Sequence, residues 1–324
     1  MEKIRIGVLG YGNLGRGVQK TITNIQDMEL VAIFTRRDPL KLKKETKGIN
    51  VAHISDLELW KDKIDVMLIC VGSAFDLQEQ ALDAIKTYNT VDSYDTHKKI
   101  FEYLNKIDKE AKDNKKTAII SAGWDPGFFS LMRLYGESIL QDGITNTFWG
   151  PGVSQGHTEA IKKIEGVKDA VQYTISKEEK IDKARKGEKI GPTDGHIRKC
   201  YVVSDDNADK KKIEREIKSM PNYFLDYETE VVFLTEEEFE KKKSMNHGGR
   251  VIRSGKTGEE NQAIIEVSLK LDSNPEFTAF TMLTYARACY KLNKMNNFGA
   301  KTVFDIPPYL MSIYSNNDLI KRLM

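Results

Sequence analysis

Two groups of residues in this sequence could perform chemistry: a glycine-rich loop with two arginines beyond it, and two aspartates after apolar runs. Gly10, Gly12 and Gly15 form the pattern GxGxxG between an apolar run and a helical pattern. In that context the first glycine permits a tight turn, the second lets the backbone approach a pyrophosphate, and the third lets a helix pack on a strand. The loop predicts a dinucleotide-binding site; the alternative is a tight turn in a protein that binds no nucleotide.

Arg36 and Arg37 follow the second apolar run, where an NAD-binding chain usually offers an acidic residue to the ribose 2′-hydroxyl. Guanidinium groups bind a phosphate through charge-assisted hydrogen bonds, whereas a carboxylate would repel it. The pair, with Thr35 beside it, therefore predicts NADP(H) as the cofactor. Asp38 would contradict this interpretation if it, rather than Arg36, faced the ribose.

Asp95 and Asp125 each follow a predicted strand, in the segments VDSYDTH and SAGWDPG. Carboxylates beside a hydride acceptor could hold a substrate ammonium group or help to deprotonate it. The alternative for each is helix capping, because both segments precede a helical pattern and Asp-Pro is a common helix start. Gly72 and Ser73 end another predicted strand, and we expect them beside the nicotinamide ribose.

The elements that must position these residues follow from the hydrophobic pattern. Up to residue 125, apolar runs rich in Val and Ile alternate with helical patterns, which is typical of βαβ units and a mainly parallel sheet. The runs cover 4–10, 29–35, 65–72, 89–94 and 116–123, and the helical patterns cover 13–25, 76–88 and 95–114.

After residue 125 strand-like segments dominate, and they predict a second α+β domain with an antiparallel or mixed sheet. Residues 274–294 predict one long, largely buried helix, with Asn274 as N-cap and Pro275 at the first helical position. A buried helix so late in the chain suits a segment that returns to brace the first domain.

The composition limits the class of protein. The chain has 324 residues, 30% of them charged, and a formal net charge of +2, which indicates neither nucleic acid nor an anionic membrane as a partner. No apolar run approaches the roughly 18 residues of a membrane span, and the start lacks the pattern of a secretory signal. Three scattered cysteines, Cys70, Cys200 and Cys289, argue against a disulfide framework, and no spacing favours a metal. We expect a cytoplasmic protein.

A series of strings makes the sequence resemble the meso-diaminopimelate dehydrogenases from end to end: GYGNLGR, IFTRR, GWDPG, TFWGPG with SQGH, AVQYT, HGGRVI and LKLDSNP. The resemblance implies NADP-dependent oxidative deamination of the D-configured centre of meso-2,6-diaminopimelate. The products are L-2-amino-6-oxopimelate, which cyclises to tetrahydrodipicolinate, ammonium and NADPH. The reverse reductive amination serves lysine and peptidoglycan precursor synthesis.

The resemblance also implies a homodimer with a Rossmann-type doubly wound parallel sheet. Residues 1–125, completed by 274–324, would form the dinucleotide-binding domain, and 126–273 the α+β domain for substrate binding and dimerisation. Cofactor contacts are expected at Gly10, Tyr11, Gly12, Asn13, Leu14, Gly15, Thr35, Arg36, Arg37, Cys70, Val71, Gly72, Ser73, Asp92, Ser93, Tyr94, Ala122, Gly123, Trp124, Asp125, Pro126 and Gly127. Substrate contacts are expected at Asp95, Asp125, Trp149, Gln155, Gly156, Thr174, Arg198, His247 and Asn274.

At the reacting end of the substrate, the resemblance implies that Asp95 and Asp125 hold the amine. Gln155 and Gly156 would hold the adjacent carboxylate. The general base stays open among Asp95, Asp125, a water or a combination of these. Alternative functions are another NADP-linked imine or aldehyde oxidoreductase, or a non-catalytic NADP-sensing protein.

At the distal end, Arg198, Thr174 and His247 would hold the second carboxylate and Asn274 the second amine, with Trp149 as an apolar wall. The residues alone leave alternatives open. Trp149 would equally suit a hydrophobic core, His247 a turn and Arg198 an exposed strand.

Overall fold

A computed structural model describes residues 3–46, 48–72, 76–243 and 246–324. Its contacts divide the chain into two compact units. Unit 1 comprises Met1–Leu131 and Pro275–Met324, and unit 2 comprises Met132–Asn274. No helix in the described part of the chain is long and apolar enough to span a membrane.

Unit 1 is built on a parallel sheet. Its strands are β1 (Ile4–Leu9), β2 (Met28–Thr35), β3 (Asn50–His53), β4 (Val66–Ile69), β5 (Asn89–Asp92), β6 (Thr117–Ile119) and β14 (Gly299–Lys301). Within the described residues the order is β14-β6-β5-β4-β1-β2-β3, and every neighbouring pair is parallel. The order changes direction between β1 and β4, the point at which such sheets bind ligands beyond the carboxyl ends of the strands. The predicted doubly wound parallel sheet is confirmed.

Helices pack on both faces of this sheet, which explains why its central strands are apolar throughout. In β4, all of the residues are fully buried. The α-helices of this part of the chain are α1 (Asn13–Thr21), α2 (Pro39–Leu42), α3 (Leu77–Ile85), α4 (Ile100–Asp113), α5 (Phe128–Ile139), α10 (Asn274–Lys294) and α11 (Asn316–Leu323). Short 3₁₀ turns cover Ile22–Asn24, Ile54–Trp60, His97–Lys99, Val303–Asp305 and Pro308–Met311.

Helix α10 carries the late part of the chain into the core of unit 1. Its buried residues, among them Met282, Leu283 and Cys289, belong to one apolar cluster with side chains of β1 and β4. Near the start of the helix, α1 approaches so closely that a Cβ on Gly17 would lie 2.6 Å from the carbonyl oxygen of Pro275. The glycine is therefore required for this packing.

Unit 2 contains two sheets. Its strands are β7 (Gly143–Trp149), β8 (Gly152–Val153), β9 (Val167–Ser176), β10 (His196–Ser204), β11 (Glu228–Phe233), β12 (His247–Lys256) and β13 (Gln262–Leu271). Its further helices are α6 (Gln155–Ile161), α7 (Glu178–Arg185), α8 (Lys210–Lys218) and α9 (Glu236–Glu240). Among the described residues, the sheet β11-β10-β9-β8 is mixed and the sheet β13-β12-β7 is antiparallel. The predicted α+β class is confirmed.

The predicted strands of unit 1 are longer than the observed ones at their carboxyl ends. Residues 70–72, 93–94 and 120–123 continue the apolar runs but lie beyond β4, β5 and β6. Cys70, Tyr94, Ile120 and Ala122 are buried there without belonging to a strand. The apolar character of these segments follows from burial of the loops, not from strand pairing.

Candidate functional site

A cavity of about 340 Å³ lies at the switch point of the unit 1 sheet. The segments that follow β1, β2 and β4 form its walls, and these are the segments that the sequence assigns to a cofactor. The lining includes Gly10, Tyr11, Gly12, Arg16, Thr35, Arg36, Arg37, Cys70, Val71, Gly72, Asp76 and Gln80.

The three glycines of the loop have different surroundings. Gly10 has a φ of +99°, and a Cβ there would lie 2.7 Å from Cγ1 of Val71. A Cβ on Gly15 would lie 2.3 Å from the carbonyl oxygen of Gly10, whereas around Gly12 no described atom lies within 4 Å of that position. Gly10 and Gly15 are thus required by the turn and by helix packing. Gly12, the N-cap of α1, leaves its backbone accessible to a ligand.

The guanidinium groups of Arg36 and Arg37 line the cavity, and other groups orient them. Arg36 forms a bidentate ion pair with Asp76, with N–O distances of 3.0 and 2.6 Å. Arg37 donates from Nη2 to the carbonyl oxygen of Tyr11 at 2.5 Å, and from its backbone N–H to Oγ1 of Thr35 at 3.0 Å. Both cations therefore lie beside the glycine loop.

Asp38, the residue that could contradict an NADP site, has a different role. Its carboxylate accepts a hydrogen bond from the backbone N–H of Leu40 at 3.0 Å and caps α2. A carboxylate held at a helix N-terminus balances the partial charge of that helix. The arginines, and not Asp38, thus supply the charge of this cavity wall.

The sequence interpretation missed Arg16, Asp76 and Gln80. Arg16 pairs with Glu45 at 2.8 Å, and its Cζ lies 5.1 Å from the ring centre of Tyr11. Its position directly after Gly15 is a signal that could have found it. Asp76 contacts an arginine 40 residues away, and no local spacing reveals such a contact.

Among the predicted cofactor residues, Asn13 and Leu14 form the first turn of α1, and Ser73 lies outside the described residues.

The carboxylate of Asp92 joins the loops that follow β5 and β6. Its Oδ1 accepts hydrogen bonds from the backbone N–H groups of Tyr94 and Ser121, both at 2.9 Å, and its Oδ2 accepts one from the hydroxyl of Tyr103 at 2.6 Å. Burial raises the pKa of Asp92, and the three donors oppose that rise. The side chains of Asp92 and Tyr94 are buried, so only Ser93 of this predicted cofactor segment is partly exposed.

Asp95 and Asp125 lie in these two loops. Asp95 is exposed, and the N-cap of the 3₁₀ turn after it is Thr96. Asp125 is partly buried within a turn that Gly123 and Gly127 close, where a Cβ on Gly127 would lie 1.9 Å from the carbonyl oxygen of Gly123. Helix α5 begins only after Gly127. By these boundaries, neither aspartate is the residue directly before a helix.

Strand register brings three predicted substrate residues of unit 2 together. Thr174 of β9 pairs with Arg198 of β10 on one side and with Gly152 of β8 on the other. The ring of His247 packs on Gly152, where a Cβ would lie 2.4 Å from its Cγ. Nη1 of Arg198 donates to Oγ1 of Thr174. A guanidinium, a hydroxyl and an imidazole therefore surround one position of the mixed sheet.

The charge of Arg198 lacks an acidic counterpart. Its Cζ lies 4.0 Å from the ring centre of Tyr227, and burial lowers the pKa of the guanidinium. Nε is buried without a hydrogen-bond partner, and no carboxylate in the described part of the chain pairs with the group. A partly buried cation of this kind is stabilised by an anion that brings acceptor oxygens. The arrangement can therefore bind a carboxylate.

Burial lowers the pKa of two histidines of unit 2, His247 and His196. Nδ1 of His247 lies 2.8 Å from the backbone nitrogen of Gly248. His196 accepts at Nε2 from the backbone N–H of Trp149 at 2.9 Å, and its Nδ1 lies 2.7 Å from the carbonyl oxygen of Pro192, which places the proton on Nδ1. The ring of Trp149 packs on that imidazole, with ring centres 5.4 Å apart. His196 thus supports Trp149, a role that no sequence signal indicates.

The remaining predicted substrate residues lie at two helix starts. Gln155 and Gly156 are exposed in the first turn of α6, and Asn274 is partly buried in the first turn of α10.

Across the described ranges, no group of three His, Cys, Asp or Glu side chains is placed to hold a metal ion. The three cysteines are buried, and burial raises the pKa of each thiol, that of Cys200 to about 12.

The chain is similar over its whole length to the meso-diaminopimelate D-dehydrogenase of Acetivibrio thermocellus. The two are 54% identical over 329 residues, which cover 100% of this chain and 98% of that protein. Residues 123–273 match the family described as the diaminopimelic acid dehydrogenase C-terminal domain.

Two solved structures resemble this one closely. A mutant meso-diaminopimelate dehydrogenase of Clostridium tetani, with DAP, has a TM-score of 0.93 and 49% identity, over 99% of this chain and 100% of that one. An engineered D-amino acid dehydrogenase bound to NADP⁺ has a TM-score of 0.87 and 40% identity, also over 99% and 100% of the two chains.

Proposed function

This chain belongs to the meso-diaminopimelate D-dehydrogenase family of oxidoreductases that act on CH–NH₂ groups, and we propose that it oxidises the D-configured centre of meso-2,6-diaminopimelate with NADP⁺. The products would be L-2-amino-6-oxopimelate, which cyclises to tetrahydrodipicolinate, ammonium and NADPH. The reverse reductive amination would supply lysine and peptidoglycan precursors. We further propose that the protein acts in the cytoplasm as a homodimer, and light scattering would test the dimer.

The unit 1 cavity suits NADP(H). The accessible backbone of Gly12 and the N-terminus of α1 would hold the pyrophosphate, because unpaired N–H groups and a positive partial charge meet there. Arg36 and Arg37 would hold the 2′-phosphate, with Thr35 beside them. The bound cofactor supplies the acceptor for a hydride, and the protein supplies alignment and electrostatics.

Asp95 and Asp125 would hold the reacting amine. A carbon gives up a hydride more readily when its amine is neutral, because the nitrogen lone pair then stabilises the developing positive charge. One of the two carboxylates, or a water that they orient, would accept the proton of the ammonium. Water would then add to the resulting imine carbon, and ammonia would leave.

The observation that carries the substrate assignment is the uncompensated cation of Arg198 beside Thr174 and His247. Diaminopimelate has two carboxylates and two amines. One carboxylate is attached to the reacting carbon, and the other, at the distal end, would bind a cation remote from that carbon. Bidentate hydrogen bonds from a guanidinium suit that group. Contacts at the other polar groups of the substrate are proposed for Gln155, Gly156 and Asn274, with Trp149 as an apolar wall.

A stereoisomer-resolved assay tests this function. Purified protein would receive meso-, LL- or DD-diaminopimelate with NADP⁺ or NAD⁺, and NADPH or NADH absorbance would be followed. We expect turnover with the meso isomer and NADP⁺ and none with the LL isomer, which lacks a D-centre. No NADPH formation from the meso isomer would contradict the proposal. Turnover of a different imine or an aldehyde would indicate another NADP-linked oxidoreductase, and NADPH binding without any turnover would indicate a sensor.

A further inference from the structure

Asp92 is almost completely buried, with 1% of its surface exposed, yet three hydrogen-bond donors converge on its carboxylate. Two of the donors are backbone groups in different loops, at Tyr94 and Ser121. Those loops are the ones that carry Asp95 and Asp125. One side chain thus connects the two segments to which the proposed function assigns the reacting amine.

The loop after β6 begins with a conformation that Asp92 stabilises. Ser121 has a φ of +56°, in the left-handed region that residues other than glycine rarely adopt. Its N–H is directed at Oδ1 of Asp92, and the next N–H, that of Ala122, donates to the carbonyl oxygen of Asp92 at 2.7 Å. Without the carboxylate, the buried Ser121 N–H would lose its hydrogen-bond acceptor. The left-handed conformation of Ser121 would then lose the hydrogen bond that offsets its free-energy cost.

Helix α4 fixes the third donor. The ring of Tyr103 packs on that of Tyr94 with ring centres 4.6 Å apart, and the hydroxyl of Tyr94 lies 2.6 Å from Nε2 of Gln78 in α3. Both oxygens of the Asp92 side chain are therefore engaged, Oδ1 by the two backbone N–H groups and Oδ2 by the tyrosine hydroxyl.

We propose that Asp92 is a positioning residue whose carboxylate fixes the loops after β5 and β6 against each other and thereby sets the relative placement of Asp95 and Asp125. The inference rests on the proposed function, because it takes these two aspartates to hold the reacting amine. Asp92 is too deeply buried to touch a substrate. Its effect on rate would be indirect, since misplacing a reacting group by about 1 Å can cost about 10²-fold.

The experiment compares Asp92→Ala, which removes both acceptor oxygens, Tyr103→Phe and the double variant with Asn89→Ala as a matched control. Asn89 lies at the other end of β5, where its side-chain oxygen accepts from the N–H of Thr117 at 3.0 Å and its amide donates to the carbonyl oxygen of Asp65 at 2.9 Å. It therefore also connects β5 to β6, but at the edge of the sheet remote from the two loops. Rates, NADPH dissociation constants and Tm values would be measured for each purified protein.

We expect Asp92→Ala to lower kcat for meso-diaminopimelate by at least about tenfold while the NADPH dissociation constant changes less than about twofold. Tyr103→Phe keeps the ring and should lower kcat by about two- to fivefold. The double variant should be no slower than Asp92→Ala, because the hydroxyl acts through the same carboxylate. Asn89→Ala should lower Tm with kcat within about twofold of the wild type.

A folded Asp92→Ala protein with wild-type kcat would overturn the inference, as would a loss of kcat no greater than that of Asn89→Ala at an equal loss of Tm. If Asp92→Ala does not fold, Tyr103→Phe decides: a reduced kcat with intact NADPH binding supports the inference, and an unchanged kcat overturns it. A wild-type protein without diaminopimelate turnover would overturn the proposed function together with the inference. If the wild type is active and the Asp92→Ala variant is equally active, only the inference is overturned and the proposed function stands.

Discussion

The guanidinium of Arg198 rests on the ring of Tyr227, with Cζ 4.0 Å from the ring centre. A cation over an aromatic face gains about 0.5–2 kcal/mol, and the contact restricts the rotamers of the arginine. We expect Tyr227→Leu to raise the KM for diaminopimelate about two- to thirtyfold with little change in kcat. Steady-state kinetics would measure both constants. Tyr227→Phe is the control because it keeps the ring, and an unchanged KM in the leucine variant would show that the ring does not position Arg198 for substrate binding.

Replacing Arg36 and Arg37 together with alanine should raise the NADP⁺ KM at least about tenfold, because each lost charge-assisted hydrogen bond to a phosphate costs about 1.5–3 kcal/mol. The KM for NAD⁺, which has no 2′-phosphate, should change much less. Kinetics with both cofactors would separate the two effects. Arg215→Ala, an exposed arginine of α8 in unit 2, is the control for surface charge. An unchanged NADP⁺ KM in the double variant would remove the arginines from the cofactor site.

The buried ion pair between Asp27 and Arg287 should contribute to stability in a pH-dependent way. Burial raises the pKa of Asp27, but hydrogen bonds and charge from Arg287, at 2.6 and 2.7 Å, outweigh burial and hold it below its usual value. The stabilisation is therefore present above the unfolded-state pKa of about 4 and is lost as the pH falls through the lower, folded-state pKa.

Asp27→Asn should lower the free energy of unfolding by about 3 kcal/mol at neutral pH, with a deficit that shrinks below about pH 4. Urea unfolding of both proteins across this range would measure it. Asp83→Asn, which removes an exposed ion pair with Lys86, is the control and should have little effect at any pH. A deficit that does not depend on pH would contradict the assignment to the ion pair.

Because His157 is partly buried, we expect it to destabilise the folded protein at acid pH. Burial lowers the pKa of this histidine to about 4. Its ring lies against Tyr223 and Phe224, and Nδ1 lies 2.7 Å from Oγ of Ser154. Because the unfolded chain binds a proton near pH 6.5 and the folded chain does not, stability should fall as the pH drops from about 6.5 to 4.

The free energy of unfolding should fall by about 3 kcal/mol between about pH 6.5 and 4, and His157→Gln should abolish this fall. Urea unfolding at several pH values would measure the slope for each protein. His97→Gln, at an exposed position, should keep the wild-type slope. An unchanged slope in His157→Gln would assign the acid sensitivity to other groups.

The cofactor cavity illustrates what local sequence can predict. A strand, a turn and a helix follow one another within the first 21 residues, so Gly10, Gly12 and Gly15 could be interpreted from their spacing and context. The ion pair between Arg36 and Asp76 could not, because it joins the residue after β2 to the N-cap of α3, 40 residues further along the chain. Hydrophobic periodicity predicts elements well, whereas contacts between them depend on the packing of the whole unit.

The surroundings of His247 show the same limit in unit 2. Strand β8 has only two residues, too few for a detectable alternation, yet Gly152 in it supports the imidazole ring. The resemblance to the meso-diaminopimelate dehydrogenases assigns Asp92 to the cofactor, whereas its carboxylate is occupied by other groups of the protein. The donors that occupy its carboxylate come from α4 and from the loop after β6, and neither is visible in the residues around it.

The close approach of Gly17 to Pro275 has a consequence for the order of events during synthesis. Unit 1 needs α10 in its core and β14 beside β6, and both are encoded after the whole of unit 2. Residues 132–274 form a continuous stretch that can fold while the ribosome is still adding residues, as domains generally do. The amino-terminal strands, although made first, must wait for the last fifty residues. Nascent chains would therefore fold unit 2 before unit 1 could hold a nucleotide.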